Sequence, residues 1–242
     1  MSKQKEILIC NYDVLYNSTL KPSSIYKYFQ QIAREDLDSF GLTFDKLCEI
    51  GVAFVLVKMK SVLYKPVFGY DSLTLSSCHR KVKGATFIRD YLLERNGEVV
   101  GEASSYWALI DINSRRICRP SVISEYLSAP NALSSFEIDD KILVPDDVSL
   151  DKYNYTVVLS DLDENVHMNN TRYLDVCLDA IRLSEDEYVS SIRIDYLSEA
   201  LLSDELELTF TPQAVDGVYY FSAQNKRTSS KCFDAKIYVS KI

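Results

Sequence analysis

One order of elements is written twice along the 242 residues: a strand, then a helix, then about four strands. This duplication restricts the fold more than any single motif does. The strand-like stretches are VAFVLVKMKSVLY, DSLTLSSCHRKV, ATFIRDYLLER and EVVGEASSYWALID in the first half, and SSIRIDYLS, ELELTFTPQ, VYYFSAQNK and CFDAKIYVSK in the second. Several alternate apolar with polar residues and are rich in Val, Ile, Tyr and Phe, as antiparallel strands with one buried face require. RNGE at 95–98 and Asp216-Gly217 are hairpin signals between such runs. Each half also carries one stretch with helical spacing. In SSIYKYFQQIAREDLDSFG a serine can cap the start, Ile25, Tyr28, Phe29, Ile32 and Ala33 share a face, and Gly41 can end the helix. In NNTRYLDVCLDAIRLS the face is Tyr173, Leu174, Cys177, Leu178 and Ile181 after an Asn cap. Further on, VLYKPVFGYDSLTL (62–75) lies over DYLSEALLSDELEL (195–208), sharing an aspartate and the two leucines after it. The pattern predicts an α+β protein in which an antiparallel sheet curls around one long helix, twice in tandem, so that the two sheets pair side by side.

Charge limits the partners. The net charge is −8, but 17 basic residues stand against 14 acidic ones up to Glu125, and 10 against 21 beyond it. A mostly acidic surface repels polyanions, so nucleic acid is disfavoured, while an acidic protein could still dock on the first half. The most apolar run, VAFVLV at 52–57, is too short to span a bilayer, and the first residues hold no stretch of secretory length. No membrane association and a cytoplasmic location are expected. Cys10, Cys48, Cys78, Cys118, Cys177 and Cys232 are far apart and include no CxxC pair, so they read as reduced and mostly buried small hydrophobes.

The stretch SDLDENVHMNN (160–170) holds one of two histidines. If it runs extended, Asp163, Asn165 and His167 point to one side while Glu164 and Val166 point to the other. Three hydrogen-bonding groups then converge beside a helix start, where unpaired N–H groups and the helix dipole suit an oxyanion. A polar turn leading into a helix is the competing reading. Laying Tyr26 over Tyr173 sets Leu20 and Ser18 opposite His167 and Asn165, and the strand alignment sets Pro66 opposite Glu199. Polar groups found in one copy only point to chemistry rather than to a demand of the fold. Tyr26, Tyr28, Phe29, Phe40 and Phe44 could line an apolar tunnel, although most are expected to fill the core, as is Trp107; His79, beside Arg80, is expected to be exposed and without a role.

These residues resemble the acyl-acyl carrier protein (acyl-ACP) thioesterases of plants and bacteria. SDLDENVHMNNTRYL is close to that family's SDLDxNxHVNNxxY pattern, and Glu199 in DYLSEA matches its YxxE. FIRDYLLERNGEVVGEASSYWALIDINSRR is similar to its RDW…G…ASSxWxxxDxxxRR block. The resemblance implies two tandem hotdog domains: residues 1–125 binding acyl chain and carrier protein, a polar, acidic linker over 126–150, and a catalytic domain over 151–242. It implies hydrolysis of fatty acyl-ACP to free fatty acid, which terminates fatty acid synthesis, with Asp163, Asn165, His167 and Glu199 catalytic and chain length set largely by the first domain. Ala200 stands where some plant members have a cysteine, which excludes a thiol nucleophile there. His167 and Glu199 are expected to position and deprotonate water while Asn165 holds the water or the carbonyl. Asp163 either orients these groups or attacks the thioester itself.

Carrier proteins are acidic, so Arg80, Lys81, Lys83, Arg115, Arg116 and Arg119 are candidates for docking them; solvated strand-edge charges are the plainer account. Rival readings are an acyl-CoA thioesterase, a hydroxyacyl dehydratase, and a sensor that binds acyl thioesters without turnover. No GxxxxGK[ST], GxSxG or HExxH motif occurs, so no cofactor or metal is implied. A homodimer is compatible with the sequence.

Overall fold

The computed structural model describes residues 2–127, 131–134, 137–138 and 141–242. Its first half contains β1 (Lys3–Leu8), α1 (Pro22–Ser39), α2 (Phe44–Ile50), β2 (Val52–Leu63), β3 (Ser72–Lys83), β4 (Thr86–Arg95) and β5 (Glu98–Asp111). The second contains β6 (Asp151–Thr156), α3 (Arg172–Ala180), β7 (Glu187–Tyr196), β8 (Glu205–Phe210), β9 (Val218–Asn225) and β10 (Lys231–Lys241). These strands form one antiparallel sheet in the order β1-β3-β4-β5-β2-β7-β10-β9-β8-β6. The halves have the same strand order read from opposite edges, and they join where residues 58–62 of β2 pair with 191–195 of β7.

Ile25, Phe29, Ile32 and Ala33 of α1 are buried as their spacing predicts. No serine caps this helix. Lys21 occupies the N-cap and Pro22 the first turn, where a missing N–H costs nothing, so Ser23 and Ser24 lie inside the helix. Gly41, at φ 81°, lets the chain leave after Phe40. The sequence reading missed α2, although Thr43 caps it by accepting the Lys46 N–H (3.2 Å) and left-handed Gly51 closes it. Seven residues are too few for a clear periodicity. The helix α3 has nine residues against eighteen in α1. It begins after Thr171 and ends where Ile181 turns extended, so the last predicted helical turn is absent, while the asparagine cap acts on the turn just before the helix, where Asn169 Oδ1 accepts the Thr171 N–H.

Core residues of both halves form one cluster. Phe29 meets Tyr91 at 4.7 Å, Tyr173 meets Phe233 at 5.2 Å, and Leu73, Leu75, Leu206 and Leu208, the leucines of the internal alignment, are all buried. The hairpin signals hold: Asn96-Gly97 and Asp216-Gly217 all have positive φ, the type I′ signature. Cys78, Cys177 and Cys232 are buried, but Cys10 and Cys118 are half-buried and Cys48 is exposed.

Of the linker expected over 126–150, residues 128–130, 135–136 and 139–140 lie outside the described residues. Within it, Ser134, Glu137 and Ile138 dock on the sheet face turned away from α1. The Ser134 N–H donates to Asp90 (3.1 Å), Glu137 accepts from Lys81 (2.7 Å) and Tyr106 (2.8 Å), and Ile138 is fully buried.

Candidate active site

Residues 159–168 form the same backbone unit as residues 11–20. In each, a one-turn 3-10 helix (Leu159–Asp161, Asn11–Asp13) leads into a tight turn closed by an isolated bridge, Leu162 to Met168 or Val14 to Leu20. The buried aspartate at the end of each short helix accepts a backbone N–H three residues back: Asp161 from Val158 at 2.9 Å, Asp13 from Cys10 at 3.0 Å. Burial opposes ionisation of Asp161, but the Val158 N–H, the Tyr155 hydroxyl (2.7 Å) and Arg172 (2.9 Å) outweigh it and hold the carboxyl below its usual range.

The stretch is therefore a turn, not an extended strand. Asp163 N–H donates to the His167 carbonyl (2.9 Å), Val166 N–H to the Asp163 carbonyl (3.0 Å), and Asn165 N–H to Asp163 Oδ1 (2.9 Å). Val166 is left-handed at φ 64°. Side chains do not alternate across it, and Glu164 borders the same cleft as Asp163, Asn165 and His167. The matching backbone bonds also move the internal alignment by one residue, so that Asp163, Asn165 and His167 stand on Leu15, Asn17 and Thr19. The polar asymmetry is thus narrower than expected. Asn17 and Asn165 are common to both copies, while Asp163 and His167 belong to the second alone.

A bridge from His167 to Leu201 draws the β7–β8 connection against the turn, as Thr19 and Phe68 do in the first half. Glu199 therefore stands opposite Pro66, as the strand alignment expected. His167 Nε2 lies 3.2 Å from Glu199 Oε2, and the imidazole side chain is 24% exposed. Glu199 Oε1 is 3.3 Å from Arg115, an exposed residue of the turn after β5. A group proposed for partner docking thus reaches the His167–Glu199 pair from the other half, something local sequence could not signal.

The N–H groups at the start of α3 are less available than expected: Thr171 donates to Asn169 Oδ1 (2.9 Å) and Arg172 to the Asn169 carbonyl (2.9 Å). Asn165, by contrast, borders the cleft. This cleft, of ≈ 1030 Å³, is walled on one side by α1, α2 and the strands of the first half and on the other by Asp163, Glu164, Asn165, His167, Asn169 and Asn170.

Several expectations change here. Arg80 is buried, not a surface group: its guanidinium is 2.6 Å from Asp90 and donates to Ser104 and to the Ser134 carbonyl, because Ser134 and Glu137 cover it. Lys81, Lys83, Arg115, Arg116 and Arg119 remain exposed. His79 is not exposed; it is buried, pairs across strands with Arg89, and borders the cleft. Trp107 is half-buried and also borders it. Of the five aromatics proposed for a tunnel, Phe44 lines this cleft, Tyr26 and Phe29 are core, and Phe40 is exposed. Tyr28, half-buried, donates to Asp13 at 2.9 Å.

The family model for the acyl-ACP thioesterase N-terminal domain matches residues 2–129, and that for the C-terminal domain matches residues 146–237. Oleoyl-acyl carrier protein thioesterase 1, chloroplastic, of Arabidopsis thaliana is 25% identical over 240 residues, which cover 90% of this chain and 66% of that protein. The chain thus spans just under two thirds of that relative's length. The crystal structure of an acyl-ACP thioesterase from Bacteroides thetaiotaomicron superposes with a TM-score of 0.84 at 17% identity, covering 99% of this chain and 98% of that one. A 12:0-ACP thioesterase from Umbellularia californica gives 0.84 at 16% identity, covering 100% and 98%. At these identities the superpositions speak to the fold.

Proposed function

The chain belongs to the acyl-ACP thioesterase family, with its tandem hotdog fold, and from that premise we propose that it hydrolyses fatty acyl-ACP to free fatty acid and carrier thiol. The observation that carries the reading is the His167–Glu199 pair, 3.2 Å apart, with His167 on the wall of a cleft bounded by both halves.

Glu199, held 3.2 Å from His167 Nε2, orients the imidazole, and His167, on the cleft wall, is the base that meets water. Water oxygen attacks the thioester carbon as His167 takes its proton. Asn165 donates to the oxygen that gains charge. The tetrahedral intermediate then breaks its C–S bond, and the proton on His167 passes to the departing sulfur. Asp163, whose carboxylate accepts the Asn165 N–H, holds the turn that aims both groups. The acyl chain occupies the first-half side of the cleft, where Phe54, Phe87 and Trp107 supply apolar wall. An acidic carrier docks on the exposed Lys81, Lys83, Arg116 and Arg119.

Thiol release from acyl-ACP and acyl-CoA, supplied in parallel, tests this reading. His167→Ala and Glu199→Ala are each expected to lower turnover by about two to four orders of magnitude. Raised ionic strength is expected to lower kcat/KM for carrier substrates far more than for short thioester analogues. Near wild-type rates in both variants would overturn the assignment of the pair. An equal salt response would overturn the basic docking surface.

A further inference from the structure

Glu199 is held at its backbone but open at its side chain. The Leu197 and Ser198 N–H groups both donate to the Cys232 carbonyl on β10 (2.8 and 3.1 Å), and the Met168 N–H donates to the Ala200 carbonyl (2.8 Å), so the segment is pinned between the sheet and the turn. The side chain, however, is 47% exposed. A glutamate fixed only at its backbone and surrounded by water samples several rotamers, and most of them point away from any one neighbour. A second contact is needed to select the rotamer that faces His167. Among the described residues that contact is Arg115, whose Nη2 lies 3.3 Å from Glu199 Oε1, while Oε2 stays 3.2 Å from His167 Nε2. The two partners divide the carboxylate, one oxygen each.

Arg115 is itself held in place. The Asp111 N–H donates to the Arg116 carbonyl (2.9 Å) and the Asp111 carbonyl accepts the Arg115 N–H (2.9 Å). Asp111 Oδ1 accepts from the N–H groups of Asn113 (3.1 Å) and Ser114 (2.7 Å). The Ile112 N–H donates to the Gly51 carbonyl (3.0 Å), which ties this turn to the end of α2. Within it Arg115 takes a left-handed φ of 57°, an unfavourable conformation for a long side chain. Stability does not account for the arrangement, because an ion pair whose side chains are 57% and 47% exposed contributes little to folding. Arg115 also borders the cleft on which His167 stands. We infer that Arg115 is a positioning residue for thioester hydrolysis, holding Glu199 Oε1 from the first half so that Oε2 stays against the imidazole; this rests on the thioesterase reading above. The orientation of His167 then depends on both halves, through residues 84 positions apart in the chain. A residue that only docked the carrier would change the affinity for the carrier and leave the chemical step alone.

The test compares acyl-ACP with dodecanoyl-N-acetylcysteamine, a thioester that carries neither protein nor phosphate. Arg115→Gln is expected to lower kcat on the short thioester about tenfold with KM unchanged. Arg115→Lys, which keeps a charged donor for Oε1, is expected to restore most of that loss. In crystal structures of wild type and Arg115→Gln, the Glu199 carboxylate is expected to leave the imidazole in the variant alone. Near wild-type kcat in Arg115→Gln, a loss confined to KM for acyl-ACP, or a kcat loss that Arg115→Lys does not restore would each overturn the inference. So would a variant in which the carboxylate still meets His167. The two proposals fail separately: absence of thiol release by the wild-type protein sinks the thioesterase reading, while the pair of crystal structures still decides whether Arg115 holds the carboxylate.

Discussion

Asp204 sits just beyond the Glu199–Leu201 segment with a side chain only 2% exposed. It accepts from the Leu201 N–H (2.9 Å), Asn225 (2.6 Å) and Arg227 (2.9 Å). Asp71 does the same in the first half, accepting from the Phe68 N–H and from Arg95. Arg227, helped against burial by the Leu201 N–H and Asn225, pushes the Asp204 carboxyl down to about 2 from its ordinary 3.8. The folded state therefore binds this proton less readily than the unfolded chain. The associated stability is present above about pH 4 and is lost as pH falls towards 2. Asp204→Asn is expected to cost on the order of 1–2 kcal/mol at neutral pH, with the deficit against wild type shrinking below pH 4. Denaturant midpoints across that range check it. The repeated aspartate was legible in the sequence, but its arginine partner was not, because Asp204 and Arg227 meet through the pairing of β8 with β9.

Among the elements, the turn that carries Asp163, Asn165 and His167 shows where a local pattern misleads. Polar residues at every second position suggested a strand, but a carboxylate that can accept the N–H two residues on favours a turn. The competing pattern won because the Asp163 N–H bonds the His167 carbonyl and closes it. Val166 pays for this geometry with a φ of 64°, while its side chain is 64% exposed and supports little packing. β-branched residues are seldom found there. Val166→Asn is expected to stabilise the protein by about 1 kcal/mol and to leave turnover near wild type, because the turn keeps its backbone path. Paired unfolding curves and thiol-release rates measure both effects. The helices divide similarly. The buried face of α1 was readable from its spacing, whereas the length of α3 was not, because it depends on where Ile181 leaves the axis.

For the whole molecule, the junction of β2 with β7 makes two duplicated halves into one sheet. Met59 faces Ile194 across this seam, at 1% and 0% exposure. Ile194→Ala is expected to cost about 3 kcal/mol and to lower the Trp107 fluorescence midpoint, which reports the first half, together with the far-UV circular dichroism midpoint. Separate shifts would show that the halves unfold independently. The order of residues by itself determined the duplicated α+β architecture, the curved antiparallel sheet, the positions of the two main helices and the four candidate catalytic residues, because periodicity and local motifs are properties of neighbouring side chains. Only the tertiary structure decided that Arg80 is buried while Lys81 is exposed, that Arg115 reaches Glu199, and that His79, Gln30 and Arg34 border the cleft. Those outcomes depend on which distant segment covers each strand face, and such contacts form between residues that carry no mark of one another along the chain.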